Sequence, residues 1–273
     1  MAQDKFSAVW VSHSSINDYL RCPRLYFLNN VYKNPETGRK ISLTNPHLSL
    51  GQAVHDVLES LSELPVEKRF DIPLKVLLSV KWRKVHGKIG GFKNDFEEMQ
   101  YKDRALTMLA NVEKNPGPIL EKAIKLKEDL PYYWLSEEQN IILCGKVDWI
   151  KYNPEDDSID IIDFKTGKNE ESANSLQLAI YRLLLEHCQK RKINKASYWY
   201  LDKGEMVDSE LPSLEESEKR VMEVAMKIKE ARRTNNFACE RSGCYACEAM
   251  EKIVAGKAEF VGVGQYNKEI YRI

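Results

Sequence analysis

Two runs rich in Ile, Val, Trp, Tyr and Phe, Asn140 to Tyr152 and Ser158 to Lys165, flank the polar turn Asn153-Pro154-Glu155-Asp156-Asp157. No other segment constrains the chain as strongly, because this pattern commits both runs to one antiparallel hairpin. With the turn centred between Glu155 and Asp156, Tyr152 faces Ile159, Ile150 faces Ile161 and Asp148 faces Asp163. Side chains alternate along a strand, so Lys165 shares the face that carries Asp163. That face is apolar beside the turn and becomes Asp, Asp, Lys at its far end.

Facing Cβ atoms in such a ladder lie about 4.5–5.5 Å apart, and like charges at that separation are destabilising unless something neutralises them. The simplest neutraliser of paired carboxylates is a divalent cation. An ion there lowers the pKa of a bound water and polarises a phosphoryl oxygen, while a neighbouring lysine stabilises the charge that develops as a phosphodiester is attacked. Asp148, Asp163 and Lys165 thus suit the cleavage of nucleic acid. Stripped of its surroundings, one Asp-x-Lys reads instead as solvated strand-end residues joined by an ion pair.

The remaining sequence sets the frame for that site. At 273 residues, with 43% apolar and 30% charged, the chain has globular composition. It can bury roughly three quarters of its unfolded surface, enough for one catalytic-sized domain with an insertion. Lys plus Arg and Asp plus Glu each number 41, so the net charge is zero and any nucleic-acid contact must use local charge rather than the global field. Charge is indeed uneven: Lys75 to Lys93 carries Lys75, Lys81, Arg83, Lys84, Lys88 and Lys93 with no acid, and Trp82 and Phe92 are interleaved. Glu205 to Glu218 is the converse, all acidic with no base.

Helical spacing of apolar residues predicts helices over Ser12 to Asn29, Leu48 to Leu64, about Ser172 to Lys190 and about Leu214 to Arg233. Ser14 or Ser15 is the expected cap of the first, and Tyr32 to Pro46 reads as a loop. A strand is expected over Ala196 to Leu201, turning at Lys203-Gly204. Four segments follow: 1–65, N-terminal helices; 66–135, a partly basic helical insertion; 136–212, the core; 213–273, a C-terminal helix and a cysteine-rich end. Met1 to Trp10 lacks the basic start and apolar run of a leader, and no stretch approaches the ~18 apolar residues that span a bilayer. The expected compartment is the cytoplasm, with no membrane partner. In that reducing setting the clustered cysteines Cys239, Cys244 and Cys247 read as metal ligands rather than disulfides.

Five pieces stand together in one order: Ser14-Ser15-Ile16 through Tyr19-Leu20-Arg21-Cys22-Pro23; Gly51-Gln52-Ala53-Val54-His55; Gly145-Lys146-Val147-Asp148; Ile161-Ile162-Asp163-Phe164-Lys165-Thr166-Gly167; and Gln177-Leu178-Ala179-Ile180-Tyr181. In this the sequence resembles the PD-(D/E)XK nuclease superfamily, specifically its RecB-type branch of recombination nucleases and CRISPR-associated adaptation nucleases. The resemblance implies a restriction-endonuclease-like α/β core, a mixed central sheet flanked by helices, with a helical insertion and a cysteine-ligated cluster joining the N- and C-terminal regions. It implies His55, Asp148 and Asp163 as metal ligands with the Phe164 backbone carbonyl as a further one, Lys165 as the catalytic lysine, and Gln177 and Tyr181 as site residues on the next helix. Mg²⁺ or Mn²⁺ is the implied ion, and an imidazole ligand suits Mn²⁺. The family's proline before the first aspartate is absent, since Val147 stands there.

In that branch, a cysteine of the first helix and three near the C-terminus hold a 4Fe-4S cluster, and Cys22 matches the first. The C-terminal trio departs from the family order: Cys239 precedes the Cys244-x2-Cys247 pair, and Ile253 stands where the last cysteine is expected. Iron–sulfur and Zn²⁺ both remain open, as a structural staple. The resulting expectation is a metal-dependent exonuclease on single-stranded DNA or DNA ends, in recombination repair or CRISPR adaptation. Lys81, Arg83, Lys84 and Lys88 are expected to help form a DNA channel, or else to be a solvated helix face. The alternative is a non-catalytic DNA-binding or assembly module of a larger complex. No G-x-x-x-x-G-K-[ST] loop is present, so any ATP-driven unwinding belongs to a helicase partner.

Overall fold

A computed structural model describes residues 4–172, 174–241 and 243–273. Met1–Gln3, at the start of the segment read for a leader, Ala173, inside the helix expected from Ser172, and Ser242 lie outside the described residues. The hairpin has the expected register: β5 (Trp149–Asn153) pairs antiparallel with β6 (Ser158–Lys165), Ile150 opposite Ile161 and Tyr152 opposite Ile159. The run from Asn140 is not one strand, however. It breaks at Gly145–Asp148, and β4 (Ile141–Cys144) belongs to another sheet, between β1 (Val9–Val11) and β3 (Tyr132–Ser136). Gly145, at the break, lets the helix that carries Leu184 pack close, because a Cβ there would stand 2.9 Å from Leu184 Cδ1.

The central sheet is mixed, in the order β5-β6-β7-β8. β7 (Ile193–Tyr200) runs parallel to β6, and β8 (Glu205–Ser209) returns antiparallel through the turn expected at Lys203-Gly204. The acidic run is thereby resolved into two uses: Asp208 on β8 meets Lys195 and Ser197, and Glu215 and Glu216 occupy the first turn of α7 (Leu214–Thr234), where carboxylates favour the helix dipole.

Strand alternation sorts the layers. Ile159, Ile161, Ala196 and Tyr198 face α6 (Gln177–Cys188), α7 and α1 (His13–Arg21), where Ile180, Leu184, Val221, Ile228 and Ile16 complete one core. Trp149, Ile162, Phe164 and Trp199 face α3 (Pro46–Leu61), α4 (Leu74–Trp82) and α5 (Asp95–Lys114) in a second core. The helical stretch after residue 66 ends at the single turn Gly117–Leu120. Buried Arg69 holds this layer to the sheet edge by donating to the carbonyls of Leu61, Ile119 and Glu121.

The first helix is shorter than its periodicity suggested. Ser12, not Ser14 or Ser15, is the cap, in a reciprocal box with Ser15. The helix stops at Cys22, whose backbone is forced extended before Pro23, and α2 (Pro23–Tyr26) restarts with proline at its first position. The expected loop Tyr32 to Pro46 contains β2 (Ile41–Leu43), which pairs parallel with β10 (Glu269–Arg272), itself antiparallel to β9 (Glu259–Val263). This small sheet and α8 (Glu248–Val254) bring the chain's two ends together. Among the described residues, no helix is long and apolar enough to cross a membrane.

Candidate functional site

Four elements converge where the hairpin leaves its turn behind. Asp148 sits at the bend just before β5, outside the paired ladder and so not in the facing strand pair expected with Asp163, and its Oδ2 accepts from the Phe164 backbone N–H at 2.9 Å, which sets it beside the end of β6. His55 reaches the same carboxylate from α3, with Nδ1 3.4 Å from Asp148 Oδ1. The helix is fixed by Asn45, whose side chain caps it on Leu48 N–H ahead of Pro46. Gly51 lets α3 pass close to the end of β6, since a Cβ there would lie 3.1 Å from Thr166 Oγ1.

Asp163 is 1% exposed. Its Oδ1 accepts from Gln177 Nε2 at 2.6 Å and from the Tyr181 hydroxyl at 3.0 Å, the two α6 residues that a spacing of four puts on one face. Its Oδ2 lies 2.9 Å from Lys165 Nζ as an ion pair, and no neutral group donates to it. Lys165 Nζ donates to Gln177 Oε1 at 2.5 Å, lies 2.7 Å from Glu171 Oε2, and stands 4.8 Å above the Tyr198 ring.

Electrostatics follow from this crowding. Burial, then the Asp148 charge, push the Asp163 carboxyl up to about 7, although Lys165 pulls the other way. Burial works against a charged His55 and a charged Lys165, but the neighbouring carboxylates outweigh it and both pKa values are raised. Glu171 is likewise opposed by burial and is held below its ordinary range by Lys165. Tyr181 is pushed well above its usual value by burial and by Asp163, so its hydroxyl stays a donor.

The donor set suits a divalent ion. A buried carboxylate oxygen without a donor costs free energy unless a cation or water satisfies it. At Oδ2 of Asp163 the Lys165 ammonium meets that need only in part, since the Asp148 charge also acts on Asp163, and the mix of hard oxygen and the one His55 nitrogen fits Mg²⁺ or Mn²⁺ better than a thiophilic metal.

The cysteines form a separate centre. The sulfurs of Cys22, Cys239, Cys244 and Cys247 all lie within 4.8 Å of one another, with Cys244 and Cys247 at 3.7 Å. Burial pushes the Cys247 thiol up to about 12, and backbone hydrogen bonding from Cys247 holds Cys244 down to about 7. Four thiolates cannot all ionise so close together unless a cation sits among them. Arg24 of α2 pairs with Glu251 of α8 at 2.5 Å and ties the two halves of this centre.

Two expectations about the basic stretch divide. Trp82 and Phe92 are 2% exposed and stack on each other at 5.8 Å, with Trp82 Nε1 donating to Glu98, so neither ring is open to a base. Arg83, Lys84 and Lys88 are exposed and Lys81 half-buried; Lys84 lies 3.6 Å from Asp56, and Lys88 lies 2.6 Å from Glu259. The aromatic residues turn inward because they occupy the apolar stripe of α4 and the loop beneath it.

Sequence reasoning missed three side chains at the site. Glu171 follows the Asp-x-Lys strand by six residues, and an acid at that remove gave no signal of its pairing with Lys165. His13, at the start of α1, has its pKa lowered by burial and by Lys165. Arg104 of α5 pairs with Asp202 and donates to the Thr166 carbonyl at 2.8 Å, buttressing the end of β6.

A mixed sheet between helical layers, with acid pair and lysine at the end of one hairpin, defines a restriction-endonuclease-like fold. The model of the PD-(D/E)XK nuclease superfamily matches residues 10–251, and the chain belongs to that superfamily. Membership implies a metal-dependent nuclease that acts on DNA. No curated protein matches the chain.

Proposed function

We propose that this chain is a deoxyribonuclease of the RecB type, working as an exonuclease on single-stranded DNA or DNA ends in the cytoplasm. The observation that carries the reading is the crowding of buried Asp163 with Asp148, His55 and Lys165 at the end of one hairpin, which pushes the Asp163 carboxyl up. His55, Asp148, Asp163 and the Phe164 carbonyl would hold Mg²⁺ or Mn²⁺. The bound ion would supply a water of lowered pKa and an electrophile for the phosphoryl oxygen.

The other groups act on these ligands or on the phosphate. Gln177 and Tyr181 fix one oxygen of Asp163 and leave the second free to face the ion. Lys165 lies where it can stabilise charge on the attacked phosphate, and Glu171 keeps it protonated and oriented. Such a chain serves recombination repair or CRISPR adaptation, with a helicase or an adaptation protein as partner. Labelled linear and circular single strands, incubated with Mn²⁺, Mg²⁺ or chelator, test this: loss of the linear strand alone, and only with metal, is expected. Equal cutting of circles would make the enzyme an endonuclease, and cutting in chelator would remove the metal.

For the four cysteines we propose a structural metal staple. The family resemblance supports a 4Fe-4S cluster. The sulfur spacing supports Zn²⁺, because Zn–S bonds of about 2.3 Å give a tetrahedron with edges of about 3.8 Å, close to the 3.7 Å between Cys244 and Cys247. Protein purified without oxygen separates them: iron with acid-labile sulfide and visible absorbance supports the cluster, and zinc alone supports the single ion.

A further inference from the structure

Tyr266 occupies a position that structural economy does not explain. It lies in the turn between β9 and β10, closed by Lys268 N–H donating to the Gln265 carbonyl and Gly264 N–H to the Lys268 carbonyl. Tyr266 has φ 57° and ψ 26°, and Asn267 has φ 58°. Two consecutive left-handed residues make the mirror-image hairpin turn that ordinarily selects Asn, Asp or Gly, and an aromatic residue is disfavoured there. The ring is 90% exposed, and among the described residues no hydrogen bond or ring contact holds it.

The ring nevertheless stands over functional ground. It lines a groove of about 600 Å³ together with Asp148, Lys146, Glu59 and Lys125. It also lines a second groove of about 700 Å³, with Gln52, Asp56, Lys84 and Lys268. Tyr266 lines both grooves; Glu59 of α3 and Glu63 just beyond it line the first and Asp56 of α3 the second, and each acid pairs with a lysine from another element: Lys146, Lys125 and Lys84. Exposed pairs of this kind are weak, so these lysines can exchange a carboxylate for a phosphate at little cost. Strained backbone, an open aromatic face and exchangeable lysines beside Asp148 are the parts of a single-strand track.

We propose that Tyr266 is a stacking platform for a nucleobase of the strand being degraded, with Lys146 and Lys84 on either side taking backbone phosphates. The proposal rests on the nuclease reading above, and Tyr266 acts here as a positioning residue. The probe is a short oligothymidylate carrying one 2-aminopurine near its end, whose fluorescence falls on stacking. In chelator, where the strand is bound but not cut, the wild type is expected to quench the probe; KM is read with Mn²⁺. Tyr266→Ala is expected to lose the quench and raise KM roughly 5- to 100-fold, with a much smaller change in kcat, and Tyr266→Trp to restore both. Tyr266→Asn suits the turn better and is expected to keep or raise the melting temperature while binding as poorly as the alanine variant. Unchanged KM and quench in Tyr266→Ala, in a wild type that cleaves DNA, would overturn the platform and leave the nuclease reading standing. A wild type that neither binds nor cleaves DNA with any divalent metal would overturn both.

Discussion

At the carboxylate site, Asp148, Asp163, Lys165, Gln177 and Tyr181 hang from one hairpin and the helix that follows it, while His55 comes from far away in the chain. The cysteine site instead joins Cys22 to Cys239, Cys244 and Cys247, beside a sheet that pairs β2 with β10. Their chemistry differs as much as their assembly. Protein groups already compensate much of the charge at the first site, through Lys165, Gln177, Tyr181 and the Phe164 N–H. At the second, the sulfurs chiefly crowd one another, and the pKa values of Cys244 and Cys247 are driven apart. On the proposed reading, the first site can wait preformed for its ion, whereas the thiol cage would need one to hold its shape.

The largest expected effect breaks the first site only. Asp163→Ala should lower DNA cleavage by about 10³-fold or more while circular dichroism stays that of the wild type. Loss of the folded signal would mean that Asp163 is structural as well. Next comes the second site. Cys22→Ser should release the bound metal and lower the melting temperature by roughly 10 °C or more, since several kcal/mol of metal binding is lost and a domain this size moves about 2–4 °C per kcal/mol. Residual nuclease activity well below that temperature would sharpen the separation of the two centres; simultaneous loss of both would erase it.

A third effect concerns pH. Folded and metal-free, the chain keeps Asp163 protonated up to about pH 7, whereas an unfolded aspartate releases its proton near pH 4. The folded state therefore holds the extra proton between those values, and this group's contribution to stability is lost as pH rises through that window, by a few kcal/mol. Asp163→Asn should flatten the fall in chemical-denaturation stability between pH 5 and 8. Mn²⁺ needs the ionised carboxylate, so its stabilising effect on the wild type should be larger at pH 8 than at pH 6. An identical pH profile in the two proteins would place the titration elsewhere. The smallest effect concerns support from the helical layer: Arg104→Met leaves partly buried Asp202 unpaired and should cost about 2 kcal/mol, read as a shift in the urea midpoint.

Much of the first site was legible because its determinants are local. Alternation fixed the face of Asp163 and Lys165, and a spacing of four put Gln177 beside Tyr181. The kink at Cys22 was equally visible in Cys22-Pro23, although apolar periodicity ran across it. Long-range pairing was not legible. β2, β9 and β10 are three to five residues long, with Ile41 and Glu269 as their two buried residues, so they carry no alternating apolar pattern, and more than two hundred residues separate β2 from β10. Glu171, His13 and Arg104 were missed for the same reason: each is an ordinary polar residue until the fold sets it beside Lys165 or Thr166. Trp82 and Phe92 mislead in the opposite direction, since the end of α4 and the loop after it turn these rings inward while Arg83, Lys84 and Lys88 stay at the surface.

The most direct measurement is cleavage of an end-labelled single strand by the wild type and by Asp163→Asn, each with Mn²⁺ and with chelator. Asparagine keeps the shape and an oxygen for Gln177 and Tyr181 but removes the charge that would bind the ion. Product from the wild type with Mn²⁺, and none in the other three reactions, is the expected result. Equal product from the two proteins with Mn²⁺ would contradict a metal-dependent site built on Asp163.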